Sequence, residues 1–174
     1  MNTNQVLEYL HYICKKRKAL FDCISCDELI NIKICRFPIC LVVNTDVSTK
    51  PGSHWVAFFK NSKNDHLEFF DSYGCCLDSY GLHFTRFAKS FNRCIENVKQ
   101  IQNFNSSVCG NYTIFWLYKR LLKCTRIHVY CMFSNNFKAN DDIVNNFIQS
   151  KKYLLSNIRC NKKQNQCVNN FKYK

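Results

Sequence analysis

Two short apolar runs, Trp55 to Phe59 and Leu67 to Phe70, constrain this chain more than any other feature. Between them lies Asn61-Ser62-Lys63-Asn64-Asp65, a cluster of turn-forming residues, so the spacing predicts an antiparallel β-hairpin. His54 then stands at the start of the first strand and Asp71 at the end of the second. In an antiparallel pair those two ends lie side by side. The hairpin therefore brings together a histidine and a carboxylate that are 17 positions apart.

Other segments read as elements around that hairpin. Val6, Leu7, Leu10, Tyr12 and Ile13 approximate one face of a helix, with Thr3 or Asn4 as its N-cap and Lys15 to Lys18 in its last turn, where cations meet the negative end of the dipole. Cys40 to Asn44 reads as a short buried strand entered through Pro38. Residues Leu82 to Cys94 read as a helix with Phe84, Phe87, Ala88 and Phe91 on one face, and Val98 to Gln102 alternates as a strand would. Asn103 to Ser107 is a polar loop, after which Cys109 opens an apolar helix carrying Ile114, Phe115, Leu117, Tyr118, Leu121 and Leu122. Amphipathic helical spacing returns around Ile143 to Leu155, and the last dozen residues read as frayed.

The pattern is α+β: a central mixed β-sheet flanked by helices. A chain of 174 residues, 47% hydrophobic, with four glycines and two prolines, is expected to form one domain, with a core over about 5–135 and a Lys- and Asn-rich helical extension over about 138–174. No stretch approaches the roughly 18 apolar residues of a membrane span, and the first residues lack the pattern of a secretory signal. A reducing intracellular compartment is expected, with the 13 cysteines as thiols. Cys23-x-x-Cys26 has zinc-like spacing, but no second pair completes a site, so the two are expected as core or surface thiols and no metal is assigned.

A formal net charge of +13, spread over clusters such as Lys15-Lys16-Arg17-Lys18, Lys119-Arg120, Lys151-Lys152 and Lys162-Lys163, attracts polyanions, DNA or RNA first among them. A solvated basic surface with no dedicated partner accounts for the same charge. With aromatic residues such as Tyr73 and Tyr80 taken as exposed, a non-enzymatic nucleic-acid-binding protein is a competing reading.

Cys109 sits where a loop becomes a helix, a position at which the dipole favours thiolate. His54 can serve as its base and Asp71 can orient that base, which is the arrangement nucleophilic catalysis by a thiol requires. Gly110 leaves room for substrate to approach the backbone. Gln102, seven residues before Cys109, can lend its amide to an oxyanion hole beside the Cys109 backbone N–H. Trp55 is expected to pack beside the imidazole. None of these residues carries the reading alone; their order and spacing do.

Three blocks, Gly52-Ser53-His54-Trp55, Phe70-Asp71-Ser72-Tyr73-Gly74 and Gln102-Asn103-Phe104-Asn105-Ser106-Ser107-Val108-Cys109-Gly110, together resemble the adenovirus maturation protease (adenain) family. The resemblance spans roughly residues 5–135. SUMO and ubiquitin-like proteases of the same clan share His-Trp, Asp and Gln…Cys-Gly, but usually place the glutamine one residue closer to the cysteine. Asp71 stands where adenoviruses carry glutamate. The resemblance implies an adenain/Ulp1-like fold and a cysteine endopeptidase with Cys109, His54, Asp71 and Gln102 at its site, processing viral precursor proteins. It implies a virion and host-nucleus location, a monomer, and an origin in an adenovirus-like virus or virus-like transposon. The chemistry would need no cofactor. Stimulation by DNA and by a disulfide-linked activating peptide is also implied, with Cys94 as the counterpart of the peptide-linked cysteine. A SUMO-specific enzyme with the same chemistry remains the alternative within the clan.

Overall fold

The structure, a computed structural model, describes residues 1–152. The expected helix end at Leu155, the last dozen residues, Lys162-Lys163, Cys160 and Cys167 lie outside the described residues.

Helix α1 (Thr3–Cys14) buries Val6, Tyr9, Leu10 and Ile13, the i, i+3, i+4, i+7 face of an amphipathic helix. Its N-cap is Asn2 rather than Thr3 or Asn4. The Asn2 side chain accepts from the Gln5 N–H, and the Asn2 N–H donates to the Gln5 side chain, each at 3.0 Å. A glutamine three residues beyond the cap makes that reciprocal pairing possible, which neither later residue offers. Lys15–Arg17 form a 3₁₀ turn that ends at Lys18, in the left-handed region with φ 51°.

Five strands follow in sheet order: β1 (Leu20–Ser25), β2 (Ile39–Asn44), β3 (Trp55–Lys60), β4 (Leu67–Phe70) and β5 (Cys94–Glu96). The outer pairings are parallel and the inner two antiparallel, so the sheet is mixed. Every residue of β2, β3 and β4 is buried. That explains the uninterrupted apolar runs, because both faces of the sheet are covered.

On one face, Val42, Ala57, Phe59 and Phe70 pack against α1 and α3 (Cys109–Leu121), with Val129 of α4 (Arg126–Tyr130) and Val144 and Ile148 of α5 (residues 137–152) joining them. On the other, Leu41, Val43, Val56, Phe58 and Phe69 meet Phe84 and Phe87 of α2 (Leu82–Lys89) and Leu29. Each fully buried aromatic here contributes on the order of 1.5–3 kcal/mol by leaving water. Among the described residues no helix is long and apolar enough to cross a membrane.

Two of these expectations need correction, and one strand was not expected. The helix expected over 82–94 stops at Lys89, because the chain must straighten for the Arg93 carbonyl to accept from the Leu67 N–H at 3.0 Å and for Cys94 to open β5. Val98 to Gln102 is not a strand. Ile101 and Gln102 both donate their backbone N–H to the single carbonyl of Ser72, a loop anchor rather than a ladder. Strand β1 was not anticipated; Asp22 interrupts its apolar pattern, and it lies at the sheet edge, where only Cys23 is buried.

Candidate active site

The hairpin places His54 and Asp71 as its spacing predicts. The His54 carbonyl accepts from the Thr45 N–H at 2.9 Å, extending the β2–β3 pairing to the histidine backbone. Asn97 holds the Asp71 main chain from both sides: it accepts from the Asp71 N–H at 2.8 Å and donates to the Asp71 carbonyl at 2.7 Å. Between these anchors, His54 Nε2 lies 2.6 Å from Asp71 Oδ1.

Asp71 is completely buried, and four donors surround its carboxylate. His54 and the Tyr73 N–H, at 3.0 Å, meet Oδ1; the Cys75 N–H and the Tyr80 hydroxyl, each at 2.9 Å, meet Oδ2. Burial pushes its pKa up, but the hydrogen bond and charge of His54 and the two backbone N–H groups outweigh it. The carboxyl is held below the usual carboxylate range.

His54 Nδ1 is buried with no hydrogen-bond partner, and Cys109 lies close enough for the ring and the thiol to shift each other's pKa. With Nε2–H committed to Asp71, the neutral ring presents Nδ1 as the acceptor. Burial would lower the imidazole pKa, yet the Asp71 bond and then Cys109 raise it to about 9. For Cys109, burial would raise the pKa. His54 and the backbone N–H groups of Trp55 and Gly110 reverse that and bring the thiol below its usual value. Such shifts favour a thiolate–imidazolium pair near neutral pH.

Cys109 opens α3, as expected, and borders a cavity of about 500 Å³ whose walls include Met1, Asn44, Trp55, Tyr73, Phe104 and Ser106. Neither His54 nor Gln102 contributes to that wall. Gln102 is completely buried: its Oε1 accepts from the Ser72 hydroxyl at 2.6 Å and its Nε2 donates to the Ser106 carbonyl at 2.8 Å. One hydrogen of that amide is thereby engaged, leaving the second for another acceptor.

The ring stacked on the imidazole is Tyr73, with centroids 4.2 Å apart and 17° between planes. Trp55, expected in that role, instead packs beside Gly110 and donates its indole N–H to the Met1 carbonyl at 3.1 Å. Tyr73 and Tyr80 are accordingly not free aromatic platforms; both belong to the surroundings of His54 and Asp71. The place of Tyr73 in the turn after Asp71 was the available signal for it; Tyr80 ends a 3₁₀ turn (Leu77–Tyr80) that gave none. Asn97 gave none, since nothing in a sequence links it to Asp71.

Cys23 and Cys26 are buried on opposite faces of the sheet, so they do not share a ligand position. Among the described residues no three metal-binding side chains cluster. Cys94 is half-buried at the start of the edge strand β5; burial, then Glu96 and Glu68, push its thiol up to about 12. A thiol held so high is a slow partner in disulfide exchange. All 11 cysteines among the described residues are free thiols.

No protein-family model matches the chain, and a search of the curated proteins finds no match. Among solved structures, the chain is similar to a crystal structure of the ASFV pS273R protease, with a TM-score of 0.56 and 18% identity over 80% of this chain and 65% of that one. A selenomethionine structure of the same protease gives 0.52 and 18% over 81% and 66%. The chain thus spans about two thirds of the length of the protease structures it matches, at 65% and 66%. The likeness is one of fold: a five-stranded mixed sheet flanked by helices, the Ulp1-like protease fold.

Proposed function

We propose that the chain is a cysteine endopeptidase of the adenain type. The observation that carries this reading is the His54 ring, bound through Nε2 to Asp71 at 2.6 Å, with its buried Nδ1 left without a hydrogen-bond partner and Cys109 beside it at the start of α3. The fold likeness to a viral protease supports the same reaction class.

In this reading the Cys109 thiolate attacks the scissile carbonyl, and its sulfur–carbon bond forms as the carbonyl electrons move to oxygen. The Cys109 backbone N–H and the second Gln102 amide hydrogen receive that oxyanion. The His54 imidazolium passes its proton to the departing amine, leaving a thioester. Neutral His54 then draws a proton from water, which attacks the thioester and frees the acid. Asp71 keeps the ring oriented throughout. No cofactor enters these steps.

The substrates proposed are viral precursor proteins cut during particle maturation, in the virion or host nucleus, by a monomeric enzyme. The three sequence blocks support that assignment. DNA and an activating peptide joined at Cys94 are proposed stimulators.

A peptide vinyl sulfone, with mass-spectrometric mapping of the modified residue, tests the chemistry. Cys109 is expected to react first, and Cys109→Ala to abolish both labelling there and turnover while keeping the wild-type melting curve. Labelling spread evenly over the thiols sinks the proposal. Cleavage of a ubiquitin-like fusion, with viral precursor peptides left intact, would retain the chemistry and overturn the substrate.

A further inference from the structure

Helix α5 reaches the loop that carries Gln102, and its contact at Ser106 bears most directly on the site. The Ser106 carbonyl receives the Gln102 amide at 2.8 Å and the Tyr73 hydroxyl at 3.2 Å. The Ser106 hydroxyl donates to Asp141 Oδ2 at 2.7 Å. Ser106 thereby ties together the proposed oxyanion donor, the ring stacked on His54 and a carboxylate on α5.

That carboxylate is doubly used. The Tyr112 hydroxyl, on α3, lies 2.8 Å from Asp141 Oδ1 and 3.1 Å from the Ile101 carbonyl. The neighbouring Asn140, fully buried, donates to the Ile101 carbonyl at 2.8 Å and to Ser134 at 2.9 Å. Both ends of the segment from Ile101 to Ser106 are therefore held from α5.

The docking of α5 does not depend on Asp141. Val144 and Ile148 are buried in the core, Phe147 meets Phe115 edge-on at 5.2 Å, and Asn111 donates to Asn145 at 2.6 Å. The Asp141 carboxylate adds orientation of the loop to a helix already anchored by apolar contacts.

We infer that Asp141 is a positioning residue: its hydrogen bond to Ser106 sets the Gln102 amide and the Tyr73 ring relative to Cys109 and His54, making α5 part of the catalytic apparatus. This rests on the protease reading. A misplacement of about 1 Å in such a group can cost on the order of 10² in rate.

The test compares Asp141→Ala, Ser106→Ala and the double variant by kcat and KM on a peptide substrate, by iodoacetamide alkylation of Cys109, and by melting. Ser106→Ala keeps the backbone carbonyl and removes the same link, so it decides the matter if Asp141→Ala fails to fold. Alkylation by displacement at carbon builds no oxyanion and reads the Cys109–His54 pair alone. Each single variant is expected to lose roughly tenfold in kcat, with KM and alkylation within about twofold of wild type. The double variant is expected to match the singles. Wild-type kcat, additive losses, or a fall in kcat matched by an equal fall in alkylation overturns the inference. Failure of the protease reading looks different: wild-type Cys109 itself would then show no preferential alkylation.

Discussion

At the scale of single residues, the chemistry depends on two shifts that oppose burial. Cys109 and His54 are each over nine tenths buried, which by itself favours neutral forms of both. Asp71 overturns this for His54, and His54 in turn for Cys109. In the proposed chemistry the active form needs Cys109 ionised and His54 protonated. A profile of kcat/KM against pH should therefore rise as Cys109 loses its proton, below the usual thiol range, and fall as pH passes about 9. The two limbs belong to the pair, since each group shifts the other. Stability follows the same signs. The contribution of His54 is fully present below its unfolded pKa, near 6.5, and is lost as pH rises through about 9. That of Asp71 is present above its unfolded pKa, near 3.9, and is lost as pH falls through its depressed folded value. Asp71→Asn removes the carboxylate that raises His54. Its alkaline limb should move to lower pH and its acid limb to higher pH, with kcat/KM at pH 7 down by at least about 10². An unshifted alkaline limb in that variant would separate Asp71 from the base.

At the scale of elements, the turn after β4 packs backbone directly against backbone. Gly74 has φ +73°, and a Cβ there would meet the Gln100 nitrogen at 2.7 Å and the Lys99 carbonyl carbon at 2.8 Å. Both are backbone atoms of the loop leading to Gln102, so no side-chain rotation relieves the clash. Gly74→Ala should cost on the order of 2–4 kcal/mol, combining left-handed strain with overpacking, and urea unfolding midpoints would measure it. An unchanged midpoint would mean that this turn and the 99–100 backbone do not meet. The same turn shows how far a sequence can be read. The β3–β4 hairpin was legible because its partners are adjacent in the chain and its turn residues are local. So was the opening of α3 at Cys109, where a polar loop meets an apolar run. Strand β5, three residues long, pairs with β4 across an intervening helix, and nothing local marks it. The bonds from Ser72 to Gln102 and from Ser106 to Asp141 span 30 and 35 positions, so the support of the site is a tertiary fact. The sequence blocks pointed to the candidate groups but not to what holds them.

At the scale of the whole molecule, charge is the dominant property left unaccounted for by the fold. The sequence carries 25 Lys and Arg against 12 Asp and Glu. Among the described residues, ion pairs join Lys50 to Asp46, Lys138 to Asp142, Arg120 to Glu68 and His54 to Asp71. Two of these acids, Glu68 and Asp71, are buried against α3 and in the site together with the cationic groups they pair with. Two more, Asp27 and Asp141, are committed to hydroxyls, on Ser48 and on Ser106 and Tyr112. The formal net charge stays at +13, because a hydroxyl partner leaves a carboxylate charged and an ion pair removes one charge of each sign. If the protein binds duplex DNA, as proposed, it is expected to do so through phosphates, without base readout, releasing counterions as it does so. Binding of a labelled duplex should fall linearly in a plot of log affinity against log salt, with a slope of about −0.9 for each phosphate neutralised. Engagement of roughly six phosphates would cost about 10³-fold between ~50 and ~200 mM salt, with little difference between unrelated sequences. Fluorescence anisotropy over that range measures both quantities. If DNA is a stimulator as well as a ligand, peptide cleavage should lose its DNA-dependent part over the same range of salt. Affinity that is flat in salt, or binding confined to one sequence, would remove DNA from the partners of this protein and leave its charge as a solvated surface.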